Sequence, residues 1–192
     1  YVAVQGRWQV DRVMGSASVY QVGGFGEALR DGEVITIEKE NENRPALESA
    51  EGLIYLPESV KLRFIAGPEW EWLLPDQQKQ FQESRFEVQS NSDRMGIRLK
   101  TTKALQLQAE AMLSSPTATG CIQLTNSGFP VVLMRDGQTT GGYPRLGTLI
   151  RMDLNRIAQL KPGDHLRFEE ISYEQAVELR KAYQQNLQKL FP

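Results

Sequence analysis

The chain has 192 residues, of which 40% are hydrophobic and 24% charged, with a formal net charge of -2 at pH 7, as is typical of a globular protein with its own core. No basic segment stands out, so the sequence offers no electrostatic basis for binding nucleic acid. Its single cysteine, Cys121, excludes an intrachain disulfide and a cysteine-rich zinc site and fits a reducing, cytoplasmic location. No apolar run reaches the roughly 20 residues that a membrane helix needs.

Short strands are predicted throughout the first third of the chain. Gly32 precedes segment 33–37, whose alternating polar and apolar residues are typical of a half-buried strand. Pro57 separates two further strand-like segments, because its fixed φ and missing N–H suit a loop better than a sheet interior. The polar segment 38–51 contains Pro45 and predicts a surface loop. Strands are expected at residues 1–4, 33–37, 53–56 and 60–65.

The rest of the chain predicts more strands and two internal helices. Pro75 and Asp76 favour a short helix over residues 75–81, since Pro suits the first helical turn and an acidic residue there complements the helix dipole. Asp153 is expected to cap a helix that runs to Leu160. Strands are expected at residues 86–89, 97–99, 131–134, 148–151 and 166–171, with turns at 90–93 and 162–164.

A last helix is predicted at the C-terminal end. Ser172 and Gln175 have the spacing of a capping box. An apolar stripe follows at helical spacing and is expected to dock on the core. About ten short strands with two or three helices predict a mainly β protein, a barrel or sandwich whose ends the helices close. The stripe comprises Ala176, Leu179, Ala182, Tyr183 and Leu187.

A glycine-rich loop after the predicted strand 131–134 is the first candidate site. The adjacent residues Gly141 and Gly142 let the backbone approach a ligand closely. The loop also carries neutral hydrogen-bonding side chains, and such a corner suits an amide or a carboxylate bound through backbone N–H groups. A plain hairpin loop is the alternative. The neutral side chains are Gln138, Thr139, Thr140 and Tyr143.

Two further positions are candidates for ligand contacts. Arg94 lies in a turn before a strand, and its guanidinium suits a carboxylate or phosphate. An internal brace between Arg94 and Asp93 or the backbone is an equally good interpretation. Gln123, close to Gly120, is expected to place an amide near the pocket, whereas Cys121 is expected to be a small buried residue. The sequence predicts no metal site, and it does not identify catalytic residues.

Several motifs then point to a known family. Residues 138–144 read Gln-Thr-Thr-Gly-Gly-Tyr-Pro, and residues 159–164 read Gln-Leu-Lys-Pro-Gly-Asp. They are preceded by Gly67-Pro68 and by Ser-Asp-Arg-Met-Gly at 92–96. In this order the motifs resemble the KipA family, also called allophanate hydrolase subunit 2, the biotin-dependent carboxyltransferase family, or the PxpC subunit of 5-oxoprolinase.

The resemblance implies a fold and a domain organisation. It implies a cyclophilin-like β-barrel over residues 1–171, followed by a C-terminal helix over residues 172–192. The matched motifs leave out the N-terminal part of the family. Because the sequence also starts at a strand-like segment without Met, we expect a further strand or domain to precede it.

The resemblance also implies a function. It implies a subunit of an ATP-dependent 5-oxoprolinase that opens 5-oxoproline to glutamate with KipI-like (PxpB) and PxpA-like partners. This chain would be inactive alone, and ATP would bind on or with a partner, since the sequence has no phosphate-binding loop. The predicted substrate-binding residues are then Arg94, Gln123, Gln138, Thr139, Thr140, Gly141, Gly142 and Tyr143.

Two other functions stay open from the sequence. One is a biotin-dependent carboxyltransferase domain of the urea carboxylase type. It would need biotin carried by another domain, because this chain has no biotinyl-lysine motif. The other is a KipA-like regulatory module that antagonises a kinase inhibitor by binding a KipI-like partner.

Overall fold

The computed structural model describes residues 4, 6–20, 23–38, 60–108 and 112–190. The chain divides into two compact units, residues 1–51 and residues 52–192. The predicted strand at 53–56, and all but one residue each of the predicted strand at 1–4 and the predicted loop at 38–51, lie outside the described residues. The boundary expected between residues 171 and 172 stays a prediction.

The first unit contains a two-stranded antiparallel sheet. Strand β1 (Arg7–Gln9) pairs with strand β2 (Thr36–Glu38), and Trp8 lies opposite Ile37. The strand predicted at 33–37 therefore exists but begins three residues later. Its only half-buried residue is Ile37, as expected for a sheet with one face in solvent.

The second unit is built around a closed seven-stranded barrel. Its strands, in chain order, are β3 (Val60–Ala66), β4 (Phe86–Val88), β5 (Gly96–Lys100), β7 (Cys121–Leu124), β8 (Pro130–Leu133), β10 (Arg145–Leu149) and β11 (His165–Glu170). Around the barrel they follow the order β10-β3-β11-β4-β5-β8-β7. The β3–β11 pair is parallel, and the other six pairs are antiparallel. The predicted mainly β fold with a barrel is confirmed.

A small second sheet lies beside the candidate loop. It pairs strand β6 (Ser115–Pro116) with strand β9 (Thr140–Gly141) in antiparallel register. Both strands have two residues, too few for sequence periodicity to reveal them. The sheet holds one side of the Gly-Gly corner in place through backbone hydrogen bonds.

Aromatic side chains form a packed cluster within the core. Helix α1 (Pro75–Glu83) begins at Pro75, as predicted, and buries Phe81 completely. The Phe81 ring stacks on Phe168 with centroids 4.8 Å apart and meets Phe64 edge-on at 5.5 Å. Large rings in such offset and edge-on contacts bury much apolar surface and add their own attraction.

Helix α2 corrects one prediction. It spans Arg151–Ile157, so the strand predicted at 148–151 ends at Leu149. Ile150 holds the N-cap position, and Asp153 does not cap the helix. The Asp153 carboxylate is fully buried and accepts hydrogen bonds from the Arg63 side chain at 2.7 and 2.9 Å. A buried charge needs such a partner, which lies too far along the chain to be seen in local sequence.

The C-terminal helix α3 (Tyr173–Leu190) begins as predicted. The Ser172 N–H donates to Oε1 of Gln175 at 2.8 Å, and the Gln175 N–H donates to Oγ of Ser172 at 3.2 Å, which is a capping box. The predicted apolar stripe is covered in part, since four of its five residues are half-buried. Within residues 173–188 no side chain is buried, and the stripe is half-buried at best, with Ala182 exposed. No helix in the described part of the chain is long and apolar enough to cross a membrane.

Candidate functional site

A cleft of about 800 Å³ opens at the Gly-Tyr-Pro end of the candidate loop. Three segments form its walls: residues 105–107 with Met112, the turn at 124–128, and the corner at 142–144. Its volume falls in the range of small-molecule sites. The described lining residues are Leu105, Gln106, Leu107, Met112, Leu124, Thr125, Asn126, Gly128, Gly142, Tyr143 and Pro144.

The cleft combines an apolar floor with neutral polar side chains at its edge. Leu105 and Leu124 are buried, at 3% and 2% exposure. Gln106, Asn126 and Tyr143 are exposed, and within the described part of the chain their side chains make no hydrogen bond. They therefore offer two amides and one phenol hydroxyl to a ligand.

A pair of amide side chains, the buried Gln123 and the exposed Gln138, supports the corner from behind. Nε2 of Gln138 donates to Oε1 of Gln123 at 3.1 Å, and Nε2 of Gln123 donates to the Tyr143 carbonyl oxygen at 3.4 Å. Gln123 is only 1% exposed. Its amide is thus satisfied within the protein, as a buried polar group must be, and it fixes the backbone of the corner.

An ion pair anchors the end of the corner. Nε and Nη2 of Arg145 donate to the two carboxylate oxygens of Glu69 at 2.9 and 2.7 Å, and the Arg145 backbone N–H donates to the same carboxylate at 2.9 Å. Nη1 of Arg145 donates to the Pro116 carbonyl oxygen at 3.1 Å. The hydrogen bonds from Arg145 lower the pKa of Glu69 below its usual value. Both side chains are mostly buried, so the pair is a fixed part of the loop's base.

A second ion pair anchors the start of the loop. Nε and Nη2 of Arg94 donate to the two carboxylate oxygens of Asp136 at 2.8 and 3.0 Å. The contact raises the pKa of Arg94 above its usual value. Asp93 does not contact Arg94 through its carboxylate but accepts the backbone N–H groups of Met95 and Gly96. Arg94 does form an internal brace, but its partner is Asp136 and not Asp93 or the backbone as predicted; the two N–H groups of the guanidinium match the two carboxylate oxygens of Asp136.

Thr139 and Thr140 take part in the small β6–β9 sheet. The Thr139 carbonyl oxygen accepts the Thr117 N–H at 2.8 Å, and Thr140 lies opposite Pro116. Gly141 is tightly enclosed, because a Cβ there would lie 2.9 Å from Nε2 of Gln123. Gly142 is open by comparison, since its nearest non-neighbouring atom would be 3.7 Å away. The two glycines therefore have different roles, one in packing and one in lining the cleft.

Cys121 lies at the start of β7, close to the ion pair. It is 3% exposed, and burial raises the pKa of its thiol to about 11. A buried thiol of this kind is neutral and unreactive at physiological pH. The predicted small buried residue is confirmed.

A family profile described as "Carboxyltransferase domain, subdomain A and B" matches residues 1–170. The chain belongs to this carboxyltransferase domain family. Since the match covers nearly the whole chain, the family resemblance predicted from the motifs is confirmed.

Relatives of this carboxyltransferase-domain protein include the C subunit of 5-oxoprolinase from Escherichia coli, which is 34% identical over 99% of this chain and 62% of that protein. The corresponding 5-oxoprolinase protein from Haemophilus influenzae is 32% identical over 94% of this chain and 59% of its own length. The chain therefore spans about three fifths of these curated relatives. The solved structure of Kluyveromyces lactis urea amidolyase covers 97% of this chain and 13% of its own, with a TM-score of 0.79 and 21% identity, and so shares the fold.

The structure brings most of the predicted site residues of this carboxyltransferase domain together around one loop. Gly142 and Tyr143 line the cleft. The other predicted positions support the loop: Gln123, Gln138, Thr139, Thr140 and Gly141 from behind, and Arg94 at its start. Ligand contact by each of these residues stays a prediction.

The facing wall of the cleft was not anticipated. Leu105, Gln106 and Met112 come from an irregular segment with no motif. Thr125 and Asn126 belong to the run Thr-Asn-Ser-Gly between two buried strands, a composition typical of a hairpin turn. That turn could have been predicted from the sequence, but its approach to residues 142–144 could not.

Proposed function

We propose that this chain belongs to a subunit of an ATP-dependent 5-oxoprolinase, which opens the lactam ring of 5-oxoproline to glutamate. It would act with KipI-like (PxpB) and PxpA-like subunits. The strongest support is the identity of 34% to the C subunit of Escherichia coli 5-oxoprolinase, which extends over 99% of this chain. The neutral cleft beside Tyr143 supports a small amide substrate, because free amide and hydroxyl groups at its edge match a lactam.

ATP does not fit the described lining of this cleft. A triphosphate needs cations, backbone N–H cradles or a metal held by carboxylates. The described lining residues include no Lys, Arg, Asp or Glu, and no group of three His, Cys, Asp or Glu residues in the described part could hold a metal. We therefore propose that ATP binds on a partner subunit or at its interface, and assign it no step here.

A carboxyltransferase activity is the second candidate, favoured by the family description. The neutral, partly apolar lining fits the uncharged ring of biotin in its chemistry, with Asn126 and Tyr143 as hydrogen-bonding partners. Biotin carried on another domain would supply an activated carboxyl group to an amide substrate such as urea.

The test is ATP-dependent glutamate release from 5-oxoproline by the full-length protein mixed with its KipI-like and PxpA-like partners. Each protein is omitted in turn, and the chain alone should show no turnover. Turnover that requires this subunit supports the proposal. A stable complex without turnover, even with carboxybiotin and urea, would favour a regulatory module.

A further inference from the structure

The two arginines at the ends of the candidate loop, Arg94 and Arg145, are already bound to carboxylates. All three guanidinium nitrogens of Arg145 are used, two by Glu69 and one by the Pro116 carbonyl. Two nitrogens of Arg94 are held by Asp136. Both arginines support the loop from outside the described lining. A carboxylate entering the cleft would therefore lose water without gaining a cation from the described lining, which is costly.

An amide would bind in this cleft more favourably than a carboxylate. A lactam presents one N–H donor and one carbonyl acceptor next to an apolar ring edge. The side chains of Gln106 and Asn126 each offer both a donor and an acceptor, and the Tyr143 hydroxyl offers either. Leu105 and Leu124 supply apolar surface for the ring. Because every polar group of the lactam can find a partner, its desolvation is compensated.

We propose that this cleft binds only the uncharged amide end of its substrate, and that the carboxylate of 5-oxoproline stays outside the described lining. The inference rests on the proposed function. It gives the two ends of the substrate different surroundings: the lactam lies in the cleft, and the carboxylate lies outside its described lining.

Three probes of equal ring size separate the two ends of the substrate. They are 2-pyrrolidinone, which has the lactam alone, 5-oxoproline, which has both groups, and cyclopentanecarboxylate, which has the carboxylate alone. Each is titrated into full-length protein without its partners, and binding is followed by NMR. We expect the first two to bind with dissociation constants within about threefold of each other, and the third about tenfold more weakly or worse.

Variants link the binding to the cleft. Asn126→Leu removes an amide, and Tyr143→Phe removes a hydroxyl; each should weaken lactam binding by roughly three- to tenfold. Asn155→Leu, at an exposed position of α2, is the matched control and should bind as the wild type does. Two independent variants keep the test valid if one of them fails to fold.

The proposal is overturned if 5-oxoproline and cyclopentanecarboxylate bind while 2-pyrrolidinone does not, because the carboxylate would then be recognised on this chain. It is also overturned if no probe binds, or if both cleft variants bind lactams normally. Glutamate release by the full complex is scored separately. Lactam binding without turnover would remove the proposed function and leave the cleft assignment intact.

Discussion

Arg145 and Glu69 form a nearly enclosed ion pair directly behind the corner that lines the cleft, with side-chain exposures of 21% and 8%. The guanidinium holds both carboxylate oxygens of Glu69 and also the Pro116 carbonyl, so one side chain of β10 connects two segments that lie outside the barrel strands. A buried pair stabilises the fold only while both charges are present. If one residue is replaced, the other charge stays buried without a partner, and its desolvation cost is no longer offset.

Breaking this pair should destabilise the protein strongly. Glu69→Gln and Arg145→Met should each lower the free energy of unfolding by about 3 kcal/mol, since each leaves a buried partner unmatched. The double variant should lose less free energy of unfolding than the two single variants added together, because it leaves no buried charge without a partner. Urea unfolding measures all three. Glu83→Gln, which removes an exposed pair with Lys79, is the control and should leave the midpoint unchanged. Additive losses would show that the two residues are not coupled.

The same pair should make stability depend on acid pH. Arg145 lowers the pKa of Glu69 below its usual 4.5 in the folded protein, so the unfolded chain takes up the proton first as pH falls. The stabilisation is complete above the unfolded pKa and is lost as pH drops through the lower, folded pKa. Thermal midpoints measured from about pH 6 to about pH 3 should therefore fall more steeply for the wild type than for Glu69→Gln. If the thermal midpoints of the wild type and Glu69→Gln fall equally with pH, the acid sensitivity comes from other carboxylates.

Local signals predicted the elements well. Pro75 starts a helix and Ser172 caps one because both effects act within a single turn. The buried strand predicted at 131–134 appears as β8, shifted by one residue. Asp153 shows the limit of this reasoning: an acidic residue at the start of a helix suggests a cap, and only the fold shows that Arg63 lies within reach.

The sequence predicted one wall of the candidate site, the glycine-rich loop, but not the opposite wall. The run from Gln138 to Tyr143 was recognisable because glycines and neutral polar residues cluster there. The opposite wall depends on how residues 105–107 approach the turn at 124–128, a tertiary contact that no local pattern encodes. Gln123 supports the corner from behind and is not among the described lining residues, so its role in substrate binding stays a prediction. Its burial could not be predicted from the sequence, because strand periodicity does not distinguish a satisfied buried amide from an exposed one.

Arg94 should behave as a brace and not as a substrate ligand. Its guanidinium is already paired through two hydrogen bonds with Asp136, although its side chain is 60% exposed. Arg94→Ala and Asp136→Ala should therefore reduce glutamate release by the full complex to a similar extent, and each should cost less than about 1 kcal/mol of stability. If Arg94→Ala abolishes turnover while Asp136→Ala leaves it intact, Arg94 contacts the substrate or a partner.

Cys121 should resist thiol reagents in the folded protein. Burial raises its pKa to about 11, so at pH 8 only about 0.1% of the thiol is in the reactive thiolate form, and the reagent must also reach a buried atom. Ellman's reagent should label the native protein very slowly and the guanidinium-unfolded protein at once. Rapid labelling of the native protein would mean that β7 opens locally.

The two adjacent glycines of the loop should respond differently to the same substitution. A methyl group at Gly141 would meet Nε2 of Gln123 at 2.9 Å, too close for a buried amide that already holds the Tyr143 carbonyl. At Gly142 the nearest atoms would be the Met112 carbonyl oxygen at 3.7 Å and Oγ of Ser114 at 3.8 Å, an ordinary contact.

Gly141→Ala should therefore lower the free energy of unfolding by about 1–3 kcal/mol, whereas Gly142→Ala should change it by less than about 0.5 kcal/mol. Because Gly142 lines the cleft, its variant should instead weaken 2-pyrrolidinone binding at unchanged stability. Urea unfolding and NMR titration of the two variants compare stability with binding directly. The reverse order of stabilities would show that the Gln123 amide moves aside easily, and that the corner is held mainly by the β6–β9 sheet and the Arg145–Glu69 pair.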